Sequence, residues 1–184
     1  LQAAQLTTRG RSILHAQEQL RQGSSWWNAA LNDSAGVAAA ARSIIFGLVW
    51  SKNPTRAAYE AALSASVTHG HPMGISSAAT FAAAIALASN GNSDLDQDWH
   101  TGIEICSKFN QKDVFGQNLV ERLKLLPSLA SQDHQMVLNL LGTSSLAHEA
   151  LPAALWCASN SSSPVDALMN GVYVCGHTDT INGM

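Results

Sequence analysis

The chain has 184 residues, 46% of them hydrophobic and only 12% charged, with ten Lys and Arg against thirteen Asp and Glu for a formal net charge of −3. That apolar content excludes a disordered chain, and charged residues at about half the usual ~25% share, beside 29 alanines, imply closely packed helices that hide surface against further segments. So few basic residues, evenly spread, exclude a nucleic-acid groove, because neutralising phosphates takes concentrated Lys and Arg.

In chain order, Leu1 to Gln22 places Leu6, Ile13, Leu14 and Leu20 among polar residues and stops at Gly23, which can take positive φ and end a helix. The apolar run Ala38 to Trp50 follows a polar turn. Asn53-Pro54 is an N-cap with Pro at the first helical position, opening a helix through Tyr59, Leu63 and Val67 to His69-Gly70. Its partner runs from Ser76 to Asn90, nearly all small residues, so the two axes can approach closely. Asp94 to Asn110 has acidic residues in its first turn, which suit the helix dipole, and Asp113 to Leu126 ends at Pro127. Ser131 caps Gln132 to Leu141, and Gly142 closes it. After the loop Gly142 to Ser145, a helix around Ala147 to Ala158 accommodates Pro152 only with a start near Leu151. The loop Asn160 to Ser163 then precedes a helix over Pro164 to Tyr173.

The pattern predicts an all-α chain, one bundle of roughly eight helices without internal repeat or long linker, so residues 1–184 form a single helical domain. The longest apolar runs, Ile44 to Trp50 and Phe81 to Ala88, fall short of the ~20 residues that cross a bilayer, and no membrane span is expected. Leu1 to Gly10 lacks the basic and apolar regions of a signal peptide. Cys106, Cys157 and Cys175, an odd number at irregular spacing, suggest reduced thiols and a cytoplasmic protein.

Four stretches carry more polar chemistry than helical packing needs. Asn32-Asp33-Ser34-Ala35-Gly36-Val37 leads into a helix, so its main-chain N–H groups and the Ser34 hydroxyl suit an anion, while Asp33 or Ser34 could equally be a cap. Thr68-His69-Gly70-His71-Pro72 offers two imidazoles for phosphate or metal, or histidines favoured simply by the dipole at a helix end. Gly142-Thr143-Ser144-Ser145 precedes Glu149, which reads as an acid or base or as a solvated first-turn glutamate. Cys175-Gly176-His177-Thr178-Asp179-Thr180 presents a carboxylate and hydroxyls from a Gly-containing turn, part of a hard-cation site that needs about six oxygens, or else the cap of a helix beginning at Ile181.

Taken in order, these stretches resemble the ADP-ribosylglycohydrolase family. Gly142 to Leu155 followed by Gly176-His177-Thr178-Asp179-Thr180 looks like its C-terminal signature, where a Gly-Gly-Asp-Thr-Asp-Thr turn supplies metal ligands. Ser34 to Leu48, with Arg42 and Gly47, is similar to its Gly-Asn-Gly-Ala-Met-Arg segment, and Thr68-His69 with Pro72 to its Thr-His stretch. The resemblance runs the length of the chain. It implies an all-α orthogonal multi-helix bundle of the ADP-ribosylglycohydrolase type, with two Mg²⁺ ions beside the distal ribose and hydrolysis at its C1″. On that basis Asp179 and Thr180 are metal ligands, Ser34 and Gly36 face the diphosphate, and His69 contacts the same region.

Two departures accompany it. His177 stands where the family has its first Asp, and a nitrogen ligand suits Mg²⁺ poorly. Val37-Ala38 replaces an expected Asn-Gly, and the family's N-terminal Gly-Asp-Ala-Leu-Gly stretch, catalytic acidic residue and Asp-Asp-Thr triplet have no counterpart. The chain is therefore expected to be the C-terminal part of a larger domain, associating with an N-terminal segment, and no residue here is assigned as general base; Glu149 is not its equivalent. The leading expectation is a Mg²⁺-dependent hydrolase acting on ADP-ribosylated protein or ADP-ribose-containing small molecules. The alternatives are a non-catalytic ADP-ribose-binding or crystallin-like structural relative, and a transition-metal site of His69, His71 and His177.

Overall fold

The computed structural model describes residues 10–91, 104, 119–130, 132–173 and 176–184. Every regular element among them is helical, as expected. Arg11–Arg21 (α1) is followed by the short helices Ala38–Ala41 (α2) and Ile44–Val49 (α3), the long pair Pro54–Ser66 (α4) and Pro72–Ser89 (α5), then Leu119–Leu125 (α6), His134–Leu141 (α7), Ala147–Ser159 (α8), Pro164–Tyr173 (α9) and Thr178–Gly183 (α10). The expected helix Asp94 to Asn110, the beginnings of Leu1 to Gln22 and Asp113 to Leu126, Ser131, Cys106 and Cys175 lie outside the described residues.

The centre is α5. It packs on α2, α3, α4 and α8, and its contact with α4 is built from Ala57, Ala61 and Ala65 against Ala78, Ala82 and Ala86, with Ala58 and Ala62 meeting Ala79 and Ala83. The predicted close approach of small-residue helices is therefore present. The same closeness governs α3, where a Cβ on Gly47 would lie 2.5 Å from Ile85 Cβ. By length and composition α5 could cross a bilayer, which short apolar runs did not reveal, but 61% of it is buried inside the protein. A second cluster gathers Phe81, Leu119, Leu123, Leu138, Leu141 and Leu151 around α8. There the Trp156 indole N–H donates to the Leu129 carbonyl at 3.2 Å.

Several boundaries differ from the sequence reading. The run Ala38 to Trp50 breaks into α2 and α3, because the Ser43 hydroxyl, 1% exposed, donates to the carbonyls of Ala40 and Ala78 and tightens the chain between them. α4 ends at Ser66, ahead of His69. α5 starts four residues before Ser76, at Pro72, where the His71 imidazole Nδ1 accepts the Met73 N–H at 3.2 Å and Pro occupies N1. α7 is capped by Asp133, whose carboxylate accepts from Met136 N at 3.0 Å, and ends at Gly142 with φ 77°. α8 begins at Ala147 and carries Pro152 in its interior. One helical N–H bond is forgone there, and burial of Ala147, His148 and all of Ala150 to Cys157 holds the helix together. Neither Asp33 nor Ser34 caps α2, whose N-cap is Val37, and neither Asp179 nor Thr180 caps α10, whose N-cap is His177.

Candidate functional site

The four polar stretches, spread across the sequence, are joined by main-chain hydrogen bonds. Leu31 pairs in parallel with His69: Leu31 N donates to Thr68 O at 3.3 Å and Gly70 N to Leu31 O at 2.9 Å. Five residues on, Gly36 pairs antiparallel with Leu146 through Val37 N to Ser145 O and Ala147 N to Ala35 O, both 3.0 Å. His177 N then donates to Thr143 O at 2.8 Å and brings the terminal turn to the same loop. Segments 31–37, 68–74, 142–149 and 176–180 are thus joined into one cluster.

Glycines permit these approaches. A Cβ on Gly74 would lie 2.9 Å from Ser34 O and 3.1 Å from His69 Cδ2, and one on Gly70 2.7 Å from Asn32 Cα. A Cβ on Gly176 would come within 2.3 Å of the Thr143 carbonyl and hydroxyl oxygens. Ser34, Gly36 and His69 are accordingly brought together: the Gly36 Cβ position lies 4.0 Å from His69 Nε2, and buried Ser34 shares a hydroxyl hydrogen bond with Ser12 of α1. The adjoining Arg11–Asp33 ion pair is solvent-exposed and contributes little.

His69 is 1% exposed. Burial, reinforced by the Arg42 charge, pushes its pKa down from 6.5 to about 4, so the ring is neutral near pH 7. Both causes work against a dipole-stabilised imidazolium at this position. Thr68 Oγ1 lies 2.7 Å from its Nδ1, and Arg42 donates to that hydroxyl at 2.7 Å. Burial also lowers the pKa of Arg42.

Glu149 is no solvated glutamate. Its carboxylate accepts the Ser144 N–H at 3.0 Å and fills the space beside Gly142, where a Cβ would lie 2.5 Å from its carboxyl carbon. Burial works to raise this carboxyl, but hydrogen bonds from Ser144 and the nearby His148 and Arg122 outweigh it and leave the pKa below the ordinary carboxylate value. Ser144 and Glu149 stand five residues apart, not the three of a capping box, so no local motif signals this role.

In the terminal turn, Ile181 is buried and anchors α10, while the Asp179 side chain is 84% exposed and Thr180 half-buried. His177 Nδ1 lies 3.8 Å from Asp179 Oδ1. A carboxylate and a hydroxyl on adjacent residues are hard donors suited to Mg²⁺, whereas the His177 nitrogen is not. Among the described residues no three His, Cys, Asp or Glu side chains gather as a metal site, so His69, His71 and His177 do not form one. His148 and Gly74 are the participants that no sequence motif singled out, and Arg42 and Thr68, named there only as parts of motifs, are seen here to touch each other. His148 is buried with Nδ1 3.1 Å from Met73 Sδ, tying α8 to the start of α5.

A family model described as ADP-ribosylglycohydrolase matches residues 2–184. No curated protein matches the chain.

Proposed function

The chain belongs to the ADP-ribosylglycohydrolase family, hydrolases that act on ADP-ribosylated substrates, and from that premise we propose that its joined segments form the diphosphate- and metal-facing part of a site that cleaves the ADP-ribosyl glycosidic bond. The observation that carries this reading is the meeting of segments 31–37, 68–74, 142–149 and 176–180 through main-chain hydrogen bonds. In the reaction, a water oxygen bonds to C1″ of the ribose, the bond to the modified side chain or small molecule breaks, and the leaving atom takes up a proton. Ser34 and Gly36 line the path of the diphosphate, and neutral His69 supplies a ring nitrogen beside it. Asp179 and Thr180 are the residues that would hold Mg²⁺, one of the two ions proposed. When bound, such ions polarise ribose hydroxyls and lower the pKa of water. The residues' own part is to fix the sugar and its phosphates relative to one another, with Thr143 O holding the terminal turn in register. The reduced Cys157 suits the cytoplasmic setting proposed for this activity.

His177 favours a second reading, a non-catalytic relative that retains ADP-ribose binding or a purely structural, crystallin-like role. The test is release of free ADP-ribose from an ADP-ribosylated protein by the intact parent protein, with Mg²⁺ and after chelation. Release abolished by chelation is expected. ADP-ribose binding without release would favour the second reading, and absence of both would overturn the proposal.

A further inference from the structure

Arg42 lies between α2 and α3, outside the segments that form the site, yet its guanidinium Nη2 donates to Ser64 O at 2.9 Å and to Thr68 Oγ1 at 2.7 Å. Thr68 Oγ1 is in turn 2.7 Å from His69 Nδ1 and 3.3 Å from Ala65 O. A hydroxyl has one proton and two lone pairs, and Arg42 occupies one of those pairs. Two arrangements remain. Either the hydroxyl donates to Nδ1, leaving the proton of the neutral ring on Nε2, or it donates to Ala65 O and accepts from a protonated Nδ1.

Geometry and polarisation both select the first. At 3.3 Å the contact to Ala65 O is long for an O–H donor, whereas the 2.7 Å contact to Nδ1 suits one. A hydroxyl oxygen that already accepts from a guanidinium is a better donor and a poorer acceptor of a second N–H. The same buried positive charge opposes an imidazolium. Nε2, the opposite ring nitrogen, is the atom that lies 4.0 Å from the Gly36 Cβ position.

We propose that Arg42, acting through the Thr68 hydroxyl, holds His69 in the Nε2–H tautomer and so presents a hydrogen-bond donor toward Gly36 and a bound diphosphate. Arg42 and Thr68 are then positioning residues, and His69 is the group that meets the ligand. The ligand's identity rests on the function proposed above, whereas the tautomer stands on the three contacts alone.

The experiment is a long-range ¹H–¹⁵N correlation of the histidine rings at pH 7.5, in the wild type and in Thr68→Ser, Thr68→Val and Arg42→Leu, with an ADP-ribose titration alongside. The wild type and Thr68→Ser are expected to show His69 with a bare Nδ1 and a protonated Nε2. Thr68→Val and Arg42→Leu are expected to gain the Nδ1–H form and to bind ADP-ribose about tenfold or more weakly, the scale of one hydrogen bond to a charged group. A wild-type ring protonated on Nδ1, or an unchanged tautomer in both disrupting variants, would overturn the proposal. Should those two variants fail to fold, Arg42→Lys, which keeps the charge but not the guanidinium fork, takes their place and is expected to gain part of the Nδ1–H form; an unchanged tautomer there would overturn the proposal. Expected spectra beside a wild type that does not bind ADP-ribose would overturn the proposed function and leave the relay standing.

Discussion

Replacing His69 by Asn removes the titrating ring while keeping an amide oxygen able to accept from Thr68. The folded-state pKa of His69 is lowered from 6.5 to about 4, so between those values the unfolded chain binds a proton that the folded chain refuses. The stabilisation is present above pH 6.5 and is lost as pH falls toward the folded pKa. With these two pKa values the loss is about 2 kcal/mol at pH 5, approaching about 3 kcal/mol below pH 4. Urea denaturation of wild type and His69→Asn at pH 7.5, 6 and 5 measures it directly. The stability difference between the proteins should shrink by about 2 kcal/mol from pH 7.5 to 5, a change of about 1 M in relative midpoint at an m-value of about 2 kcal/mol/M. A difference that stays constant to within about 0.5 kcal/mol would refute the claim that His69 is held neutral.

Other perturbations separate packing from chemistry. Gly176→Ala forces a methyl against the Thr143 carbonyl and hydroxyl, so the His177–Thr143 hydrogen bond should break and Mg²⁺-dependent ADP-ribose release should fall at least tenfold with little change in melting temperature. Gly47→Ala gains about 1 kcal/mol of helix propensity but meets Ile85 Cβ at 2.5 Å, and calorimetry should show net destabilisation of about 1–2 kcal/mol because overpacking outweighs propensity. Glu149→Gln weakens a charge-assisted bond to Ser144 N, for a loss of about 1 kcal/mol at pH 7 in denaturant unfolding that fades as pH falls below the ordinary glutamate range. Cys157 is buried and its thiol is pushed up to about 11, so an Ellman-type reagent at pH 8 should react with it only after unfolding.

What local chemistry specifies was legible in the sequence. Asn53-Pro54 opens α4 because the Asn side chain accepts from Arg56 N, a bond made within one turn, and Gly142 ends α7 because that position takes positive φ. The meeting of small residues on α4 and α5 followed from their composition. Features decided by distant partners were not legible. The break at Ser43 depends on Ala78 from another helix, and α5 starts early because an imidazole, an unusual cap, accepts from Met73 N. His69, which the sequence alone allows as a dipole-favoured histidine, lies beyond the end of α4, and Arg42 from far back in the chain reaches the Thr68 hydroxyl beside it. Glu149 read as solvated because nothing in its neighbourhood announces that Gly142 leaves room for it. The joining of the four polar segments was expected only from family resemblance, since spacing alone leaves each of them a cap or a loop.

The most direct test of that joining follows the backbone amides of the ¹⁵N-labelled chain while ADP-ribose is added in the presence of Mg²⁺. Ser34, Gly36, His69, Ser144 and His177 should shift together and fit a single dissociation constant. Shifts confined to one segment, separate constants for the 31–37 and 176–180 segments, or no shifts at all would contradict the claim that these segments form one ADP-ribosyl site.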